Sequence, residues 1–360
     1  MLDTPAVVVD LDIVEANIAA MATEMRSRGV ALRPHAKTHK SIELARMQIA
    51  AGAVGITVGT VGEAEVFAAG GIRDIFIAYP VFASRERAGR LRVLADLCEL
   101  SIGFDSVEGA AAIVEAVRGV ARPPRLLLEI DSGGHRTGVG PDSAGAVAAK
   151  ALALGRPAGV EVVGVFTHAG HGYGGPDVRD AAADQEAAAL GEAAASLTAA
   201  GVDVSIVSAG STPTAIRSAR GAVTEERPGT YIFGDAIQVG LGSMDAGSVA
   251  LTVVATVVST AVDGHFVVDA GAKVLSKDTA AYLDGHGVIL GWPDARLVRL
   301  NDYHGIAEMP AGSPRPVVGD VVSIMPNHVC PVVNLVDELV MVRGGAIVGR
   351  WPVDARGRNG

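Results

Sequence analysis

The stretch Ala31-Leu32-Arg33-Pro34-His35-Ala36-Lys37-Thr38-His39-Lys40 begins as a short apolar run and ends in a cluster of cyclic and cationic side chains. The run Ala31–Arg33 is typical of a short strand. Residues 33–40, which follow directly, contain three cationic side chains and three rings, counting the proline. The stretch therefore predicts a strand that delivers a basic loop to one end of a sheet.

Similar short apolar runs recur along the chain and alternate with Ala-rich helical patterns such as Gly62–Ala69 and Ala181–Ala200. Eight runs are predicted as strands: Ala31–Arg33, Ile56–Val58, Ile75–Ala78, Leu100–Phe104, Leu126–Ile130, Val162–Thr167, Val204–Ser208 and Glu225–Phe233. The last run is weak because Pro228 interrupts it. Eight strands with helices between them predict an α/β fold, a (β/α)8 barrel of the TIM type.

The pattern changes near residue 249, where helical periods give way to short β-rich runs. These runs are Leu251–Thr260, Phe266–Val268, Leu297–Leu300, Val321–Met325, Leu339–Val342 and Ala346–Val348. They predict a mostly antiparallel β domain. Because chain termini often lie close together, the strand Val7–Asp10 is expected to join it. We therefore expect a barrel over residues 11–245 and a β-rich domain over residues 1–10 and 246–360.

Composition excludes several classes of function. The chain has 360 residues and a formal net charge of −10, which argues against nucleic-acid binding because such binding neutralises phosphates. The two cysteines, Cys98 and Cys330, do not make a disulfide framework. The sequence from Met1 onward shows no signal peptide and no transmembrane span. We therefore predict a cytoplasmic protein that does not bind membranes.

Active sites of βα barrels lie at the carboxyl ends of the strands, where residues 33–40 are predicted to lie. A lysine in a partly apolar barrel mouth can have a depressed pKa, as a Schiff-base lysine requires. Lys37 is the candidate. On composition alone, a solvated basic loop remains the alternative interpretation.

Residues 32–40 resemble the cofactor-lysine segment of the D-threonine aldolase and D-serine dehydratase group, pyridoxal-phosphate enzymes of the alanine racemase fold type. The resemblance covers almost the whole chain, from Asp3-Thr4-Pro5 to the β-rich region. It implies that Lys37 carries pyridoxal 5'-phosphate and that Lys40 is a neighbour and not the nucleophile. It also implies a homodimer.

Two segments are suited to bind the cofactor's phosphate. Ala209-Gly210-Ser211-Thr212-Pro213-Thr214 follows the seventh predicted strand, and Pro228-Gly229-Thr230-Tyr231 lies at the eighth. Glycine permits close approach, hydroxyls can donate, and barrel phosphate sites often form after these two strands. Both segments resemble the family's phosphate loops. The implied contacts are Gly210, Ser211, Thr212, Gly229, Thr230 and Tyr231.

Two further Gly-rich loops follow the fifth and sixth predicted strands. Residues 131–138 contain Arg136, which is placed to contact the cofactor ring or its phenolic oxygen. Residues 167–174 contain His168 and Tyr173, which match family positions that contact cofactor or substrate. His171, in the same loop, has no matched role. The alternative for these loops is structural turns.

A candidate metal pair lies in Met325-Pro326-Asn327-His328-Val329-Cys330-Pro331. If this run is a strand, His328 and Cys330 point to one face and can converge on one ion. Imidazole suits many divalent metals and thiolate favours zinc. The run resembles the family's metal segment, in which the Cys version resembles the zinc-dependent dehydratases and an Asp version is associated with manganese-activated aldolases.

The stretch Asn301-Asp302-Tyr303-His304-Gly305 resembles a family segment near metal and substrate, so Asp302 is a candidate for orienting a ligand or a metal-bound water. The alternative is a structural turn.

The resemblance implies a lyase acting on small D-β-hydroxy-α-amino acids with pyridoxal phosphate and a divalent metal, manganese or zinc. We slightly favour D-threonine aldolase, with His168 or a metal-bound water as the base for retro-aldol cleavage. The main alternative is β-elimination from D-serine or 3-hydroxy-D-aspartate, with Lys37 taking the α-proton. Racemisation and a pyridoxal-phosphate homeostasis protein are weaker alternatives.

Overall fold

The computed structural model describes residues 2–360 and contains two large sheets. The helices are α1 (Leu11–Ser27), α2 (Ile42–Ala50), α3 (Val61–Ala69), α4 (Arg85–Leu97), α5 (Val107–Ala116), α6 (Ala144–Gly155), α7 (Pro176–Ala199), α8 (Ala215–Ser218), α9 (Ala236–Gly240), α10 (Ala272–Leu275) and α11 (Val329–Leu335). The strands are β1 (Ala6–Asp10), β2 (Ala31–Leu32), β3 (Ile56–Val58), β4 (Asp74–Pro80), β5 (Glu99–Phe104), β6 (Arg125–Glu129), β7 (Glu161–Phe166), β8 (Ile206–Ala209), β9 (Glu225–Glu226), β10 (Leu251–Ser259), β11 (His265–Val268), β12 (Gly287–Ile289), β13 (Arg296–Leu300), β14 (Gly305–Glu308), β15 (Val321–Pro326), β16 (Glu338–Arg343) and β17 (Ala346–Pro352). Among residues 2–360, no helix has the length and apolar character needed to cross a membrane.

The first sheet contains eight parallel strands in the order β2-β9-β8-β7-β6-β5-β4-β3. Its two edges meet, because His35 and Thr57 form a parallel bridge and the Thr57 N–H donates to the Pro34 carbonyl at 2.8 Å. The helices of this half lie between successive strands in the chain. The structure therefore confirms the predicted βα barrel, whose strand ends present the loops described below.

The eighth predicted strand, Glu225–Phe233, is mostly wrong. Only Glu225–Glu226 pair with their neighbours, and Thr230–Ile232 form a 3-10 helix. Pro228 has no N–H to donate to a sheet, so pairing stops before it. The ends of the other barrel strands differ from the prediction by at most a few residues, as at β8, which begins at Ile206.

The second sheet is mostly antiparallel, with the path β13-β14-β11-β10-β1-β16-β17 and with β15 pairing both β10 and β12. Strand β1 lies antiparallel to β10 and parallel to β16. Strands β12 and β14 were not predicted, since three or four residues carry too short an alternation. The short helices α10 and α11 were missed for a similar reason.

Helix α1 connects two separate cores. Its buried residues repeat at helical spacing along one face. Val14 and Ile18, in its first half, belong to the apolar cluster of the second sheet, whereas Ala22 and Met25 belong to the barrel cluster. The Asp10 side chain caps the helix by accepting from the backbone N–H of Asp12. The helix thereby fixes the barrel against the β-rich part.

A buried ion network lies at the amino ends of the barrel strands. The Arg33 guanidinium contacts Glu225 at 2.7 Å and Asp74 at 2.7 Å, and Arg125 contacts Asp74 at 3.2 Å. Asp74, Arg125 and Glu225 begin β4, β6 and β9. This network lies opposite the strand ends that carry the candidate site, so its effect is expected on stability.

Arg33→Ala is expected to lower the free energy of unfolding by about 3–5 kcal/mol, because it leaves the buried Glu225 carboxylate without its partner. Urea denaturation followed by circular dichroism measures this loss. The matched control is Arg28→Ala, which breaks a half-exposed pair with Glu24 on α1 and should cost about 0.5 kcal/mol. Equal losses for the two variants would contradict the structural role of the network.

Candidate active site

The first element of the site is the 3-10 helix Ala36–Thr38, which follows β2 and carries Lys37. The Lys37 side chain is exposed, and its amine makes no hydrogen bond or ion pair with any described residue. Lys40, in contrast, is buried and forms an ion pair with Glu63 at 3.2 Å and a hydrogen bond with Asn334 at 2.8 Å. Of the two lysines, Lys37 is therefore the one with a free amine.

Two imidazoles lie near Lys37. Burial, followed by the positive charges of Lys37 and Arg227, holds the pKa of His35 well below its ordinary value. Burial, followed by the charges of Lys37 and Arg136, does the same for the pKa of His168. Both rings are therefore unprotonated near neutral pH and can accept a proton. No role for His35 is evident from the sequence, although it lies within residues 33–40.

The loop after β8 requires its glycine. Gly210 has a φ of +100°, in the left-handed region, and a Cβ there would overlap the Glu226 carboxylate. Its N–H donates to Glu186 on α7 at 2.9 Å. Glu186 is fully buried and was not found by sequence reasoning, because a single glutamate within an Ala-rich helix gives no signal.

The structure brings the two predicted phosphate loops together. The Thr212 hydroxyl accepts the N–H of Tyr231 at 3.0 Å. The Ser211 N–H and hydroxyl pair with the Thr214 hydroxyl at 3.1 and 3.0 Å. The second loop packs on the lysine helix, because a Cβ on Gly229 would lie 2.8 Å from the Thr38 hydroxyl.

The donors of these loops fit a phosphate. Within residues 2–360, the backbone N–H groups of Thr212, Gly229 and Thr230 donate to no acceptor. Clustered free N–H groups favour an anion. Tyr231 was predicted to contact the cofactor. Its side chain is 2% exposed, and its hydroxyl accepts a hydrogen bond from Gln48 at 2.9 Å. Its polar atoms therefore connect protein elements.

Arg136 and Tyr173 lie in the loops after β6 and β7. The Arg136 side chain is exposed, with its guanidinium 3.6 Å from a carboxylate oxygen of Glu129. Tyr173 is in the 3-10 helix Gly170–Gly174, with its ring centroid 6.4 Å from that of His168. Burial, followed by the charges of Cys330 and Asp235, raises the pKa of Tyr173. Its hydroxyl is therefore protonated and can donate.

The expected strand geometry of the metal pair is wrong, since β15 ends at Pro326 and Cys330 lies in the first turn of α11. Pro331 occupies the first turn, where its missing N–H costs no helical hydrogen bond. The two side chains still meet. Burial would lower the pKa of His328, but the Cys330 charge and hydrogen bond raise it to about 10.

The same contact favours the metal-binding form of the thiol. Burial opposes ionisation of Cys330, but the charges of His328 and Lys37 bring its pKa below the ordinary value. The Nδ1 atom of His328 is 2.7 Å from Asp278, which leaves Nε2 for an ion. Within residues 2–360, no group of three or more His, Cys, Asp or Glu side chains has an arrangement that could hold a metal ion. His328 and Cys330 thus offer a two-ligand set with room for water or substrate.

Asp302 is not brought to this cluster. Its side chain is exposed, and its carboxylate lies 3.4 Å from the Lys273 ammonium, which stacks over the Tyr303 ring at 4.7 Å. No contact in the described chain connects Asp302 with Lys37 or His328. The predicted role of Asp302 as a ligand-orienting group is therefore not supported by its position within one chain.

A chain of hydrogen bonds connects the lysine segment with the phosphate loops. His39 is buried and bonds Gln48 at 3.2 Å, and Gln48 donates to the Tyr231 hydroxyl at 2.9 Å. Burial lowers the pKa of His39 to about 4, although its bonds with Gln48 and Ser41 act in the other direction. His39 is therefore a buried, neutral structural histidine.

Two family profiles match the chain. The alanine racemase N-terminal domain matches residues 9–237, and the serine dehydratase domain matches residues 250–342.

Among known proteins, the D-threo-3-hydroxyaspartate dehydratase of Delftia sp. (strain HT23) is 39% identical over 351 residues, 91% of each chain. The D-threonine aldolase of Arthrobacter sp. is 34% identical over 99% of this chain and 93% of its own. The crystal structure of D-threonine aldolase from Filomicrobium marinum superposes with a TM-score of 0.89 at 33% identity, covering 99% of this chain and 96% of that chain. A structure of the Delftia enzyme, as a cysteine-to-alanine mutant, is described as metal-free.

Stability is expected to fall as the pH decreases from about 6.5 to about 4, the unfolded and folded pKa values of His39. In this window the unfolded chain binds a proton that the folded chain does not, so stability rises with pH. In His39→Gln, the decrease in the free energy of unfolding between pH 7 and pH 5 should be smaller by about 2 kcal/mol. Urea denaturation at both pH values measures it. His304→Gln, at an exposed site, should leave the loss unchanged, and an unchanged loss in His39→Gln would contradict the assignment.

Proposed function

The chain belongs to the family that joins an alanine racemase N-terminal domain to a serine dehydratase domain, and from this premise we propose that it is a pyridoxal-phosphate lyase that cleaves D-β-hydroxy-α-amino acids. The specific reaction we propose is metal-dependent retro-aldol cleavage of D-threonine and related substrates to glycine and an aldehyde. One observation carries the proposal: the Cys330 sulfur lies 3.4 Å from the hydroxyl of Thr38, beside Lys37. A divalent metal held by Cys330 would supply a Lewis acid beside the lysine segment.

The residues that would hold the cofactor fit it in charge and shape. Lys37 offers a free amine, the backbone N–H groups of Thr212, Gly229 and Thr230 offer free donors for the phosphate, and Arg136 offers a cation toward the ring. Bound there, pyridoxal phosphate supplies the electron sink that stabilises the carbanion left by bond cleavage.

The residues that would hold the metal are His328 and Cys330, with Asp278 orienting the imidazole. A divalent ion, zinc or manganese, supplies a Lewis acid for the substrate hydroxyl. The related Delftia dehydratase has a metal-free cysteine mutant, which supports a ligand role for the cysteine of this chain.

Retro-aldol cleavage needs a base for the proton of the β-hydroxyl. His168 is held unprotonated near Lys37, so its unprotonated ring nitrogen is the proposed acceptor of that proton, whereas the Nδ1 atom of His35 already accepts the backbone N–H of Lys37 at 3.3 Å. Tyr173, which remains protonated, can donate a hydrogen bond to the substrate.

A second candidate reaction is β-elimination to a keto acid and ammonia. It is favoured by the thiolate ligand Cys330, which suits zinc, and by the 39% identity to a dehydratase. In this reaction the Lys37 amine takes the α-proton. Racemisation and a cofactor-carrier role receive less support, since neither uses the metal pair.

We also propose that the enzyme works as a homodimer in the cytoplasm, with a barrel domain over residues 11–245 and a β-rich domain over residues 1–10 and 246–360. The family resemblance supports the dimer, and the placement of β1 within the second sheet supports the division.

The reaction is tested by incubating the holoenzyme with D-threonine, D-serine and D-threo-3-hydroxyaspartate, with zinc or manganese and with EDTA. We expect glycine and acetaldehyde from D-threonine, lost with EDTA, and no product from L-threonine.

Keto acid and ammonia with little glycine would replace aldol cleavage with elimination. Absence of turnover for all D-substrates, while the cofactor remains bound, would contradict the lyase proposal.

Lys37→Ala should abolish the borohydride-reducible link to pyridoxal phosphate and lower activity on the order of 1000-fold, because no other described amine lies free at this site. Peptide mass spectrometry after reduction locates the link. Lys150→Ala, an exposed change on α6, is the matched control and should keep both properties. A link that persists in Lys37→Ala would overturn the assignment.

A further inference from the structure

Lys40 has no part in the proposed reaction, yet it is held by three side chains. Its ammonium contacts Glu63 at 3.2 Å, Asn334 at 2.8 Å and Asn359 at 3.3 Å. Its backbone has a φ of +51°, in the left-handed region that disfavours residues with a Cβ. The turn that follows Lys37 therefore depends on hydrogen bonds from other parts of the chain.

Those bonds come from far along the chain. The Ala355 N–H donates to the Lys40 carbonyl at 3.0 Å. The Ile42 N–H, first in α2, donates to the Asp354 carboxylate at 2.7 Å. Ser41 precedes α2 but makes no side-chain cap, so Asp354 caps this helix from a distance.

The segment of residues 354–359, called here the clamp segment, is itself anchored. The Gly357 N–H donates to Asn334 at 3.2 Å, and the Thr60 hydroxyl donates to the Arg358 carbonyl at 2.6 Å. Gly62, at the start of α3, allows this approach, since a Cβ there would lie 3.3 Å from the Arg358 backbone. The clamp segment therefore bridges α2, α3 and α11.

Helix α11 contacts the lysine segment at both of its ends. Cys330, in its first turn, touches Thr38, and Asn334, in its last turn, binds Lys40. The clamp segment binds the same Asn334. The positions of the metal pair and of the lysine helix are thus coupled through one short helix.

We propose that the clamp segment fixes the position of Lys37, with Asp354 and Asn359 as positioning residues for cofactor binding. The inference rests on the proposed function of Lys37 as the cofactor lysine. Neither residue touches the lysine helix itself; each acts through Lys40 or the start of α2.

The first test compares the affinity of the apoenzyme for pyridoxal phosphate, titrated by the absorbance of the lysine-linked cofactor. Asp354→Ala and Asn359→Ala should each weaken binding about tenfold, the effect of losing one cap or charged hydrogen bond. Asp354→Asn keeps an acceptor oxygen and should remain within about twofold of wild type. Asp294→Ala, at an exposed loop position, is the matched control.

Wild-type affinity and absorbance in both alanine variants would overturn the clamp, provided that the wild-type chain links the cofactor at Lys37. The clamp would also be overturned if Asp354→Ala lost affinity for pyridoxal phosphate, Asp354→Asn did not restore that affinity, and the circular dichroism of the variants was altered. The effect would then be general unfolding. Absence of the link in the wild-type chain would instead overturn the proposed function.

The second test needs no cofactor. Amide hydrogen exchange of the apoprotein should accelerate about tenfold at Lys40 and Ile42 in Asp354→Ala, and remain unchanged in β3 and β4. Equal exchange in wild type and variant would overturn the clamp whatever the cofactor result.

Discussion

The candidate site depends on the position of a single 3-10 helix, Ala36–Thr38. It begins where β2 ends, and its residues are contacted from both halves of the chain: Gly229 packs on Thr38 from the barrel, and Cys330 contacts Thr38 from α11. The two apolar cores are joined along the buried face of α1. A shift of either core would move Cys330 relative to Lys37. The geometry of the site is therefore a consequence of domain packing and not of the loop alone.

The polar groups of the barrel form two sets, one at the amino ends of the strands and one at the carboxyl ends. The network of Arg33, Asp74 and Glu225 satisfies charges at the amino ends of the strands, where it can contribute to stability. At the opposite ends, the Lys37 amine and the free N–H groups of the phosphate loops make no bonds to the described chain. The Lys37 side chain is exposed, but Thr212, Gly229 and Thr230 are buried, where an unpaired N–H is costly. The contrast between satisfied and free polar groups within one barrel distinguishes the supporting end from the functional end.

Much of the barrel could be predicted, because buried parallel strands are short apolar runs bounded by polar residues. Lys37 could be proposed as a candidate from its segment, whereas Glu186 could not, since its contact with Gly210 depends on how α7 packs. His328 and Cys330 were paired for the wrong reason: the sequence suggested a strand, but they meet across a strand-to-helix turn. Asp302 was predicted as a ligand-orienting residue from the motif of residues 301–305. The motif does not show that the Asp302 carboxylate pairs with Lys273. Local pattern predicts elements, while contacts between distant elements decide which polar side chains share a site.

The two candidate reactions make different demands on proton transfer at the β-oxygen of the substrate. Carbon–carbon cleavage removes a proton from the β-oxygen, and elimination expels that oxygen as hydroxide. His35 and His168 are held unprotonated near neutral pH by burial and by neighbouring cations, so neither ring carries an acidic proton for a leaving group. Under the proposed lyase function, an unprotonated ring is in the form that a base for aldol cleavage requires. Lys37, one of the positive charges that depress these two pKa values, also lowers the pKa of the Cys330 thiol, so one cation acts on both imidazoles and on the thiol.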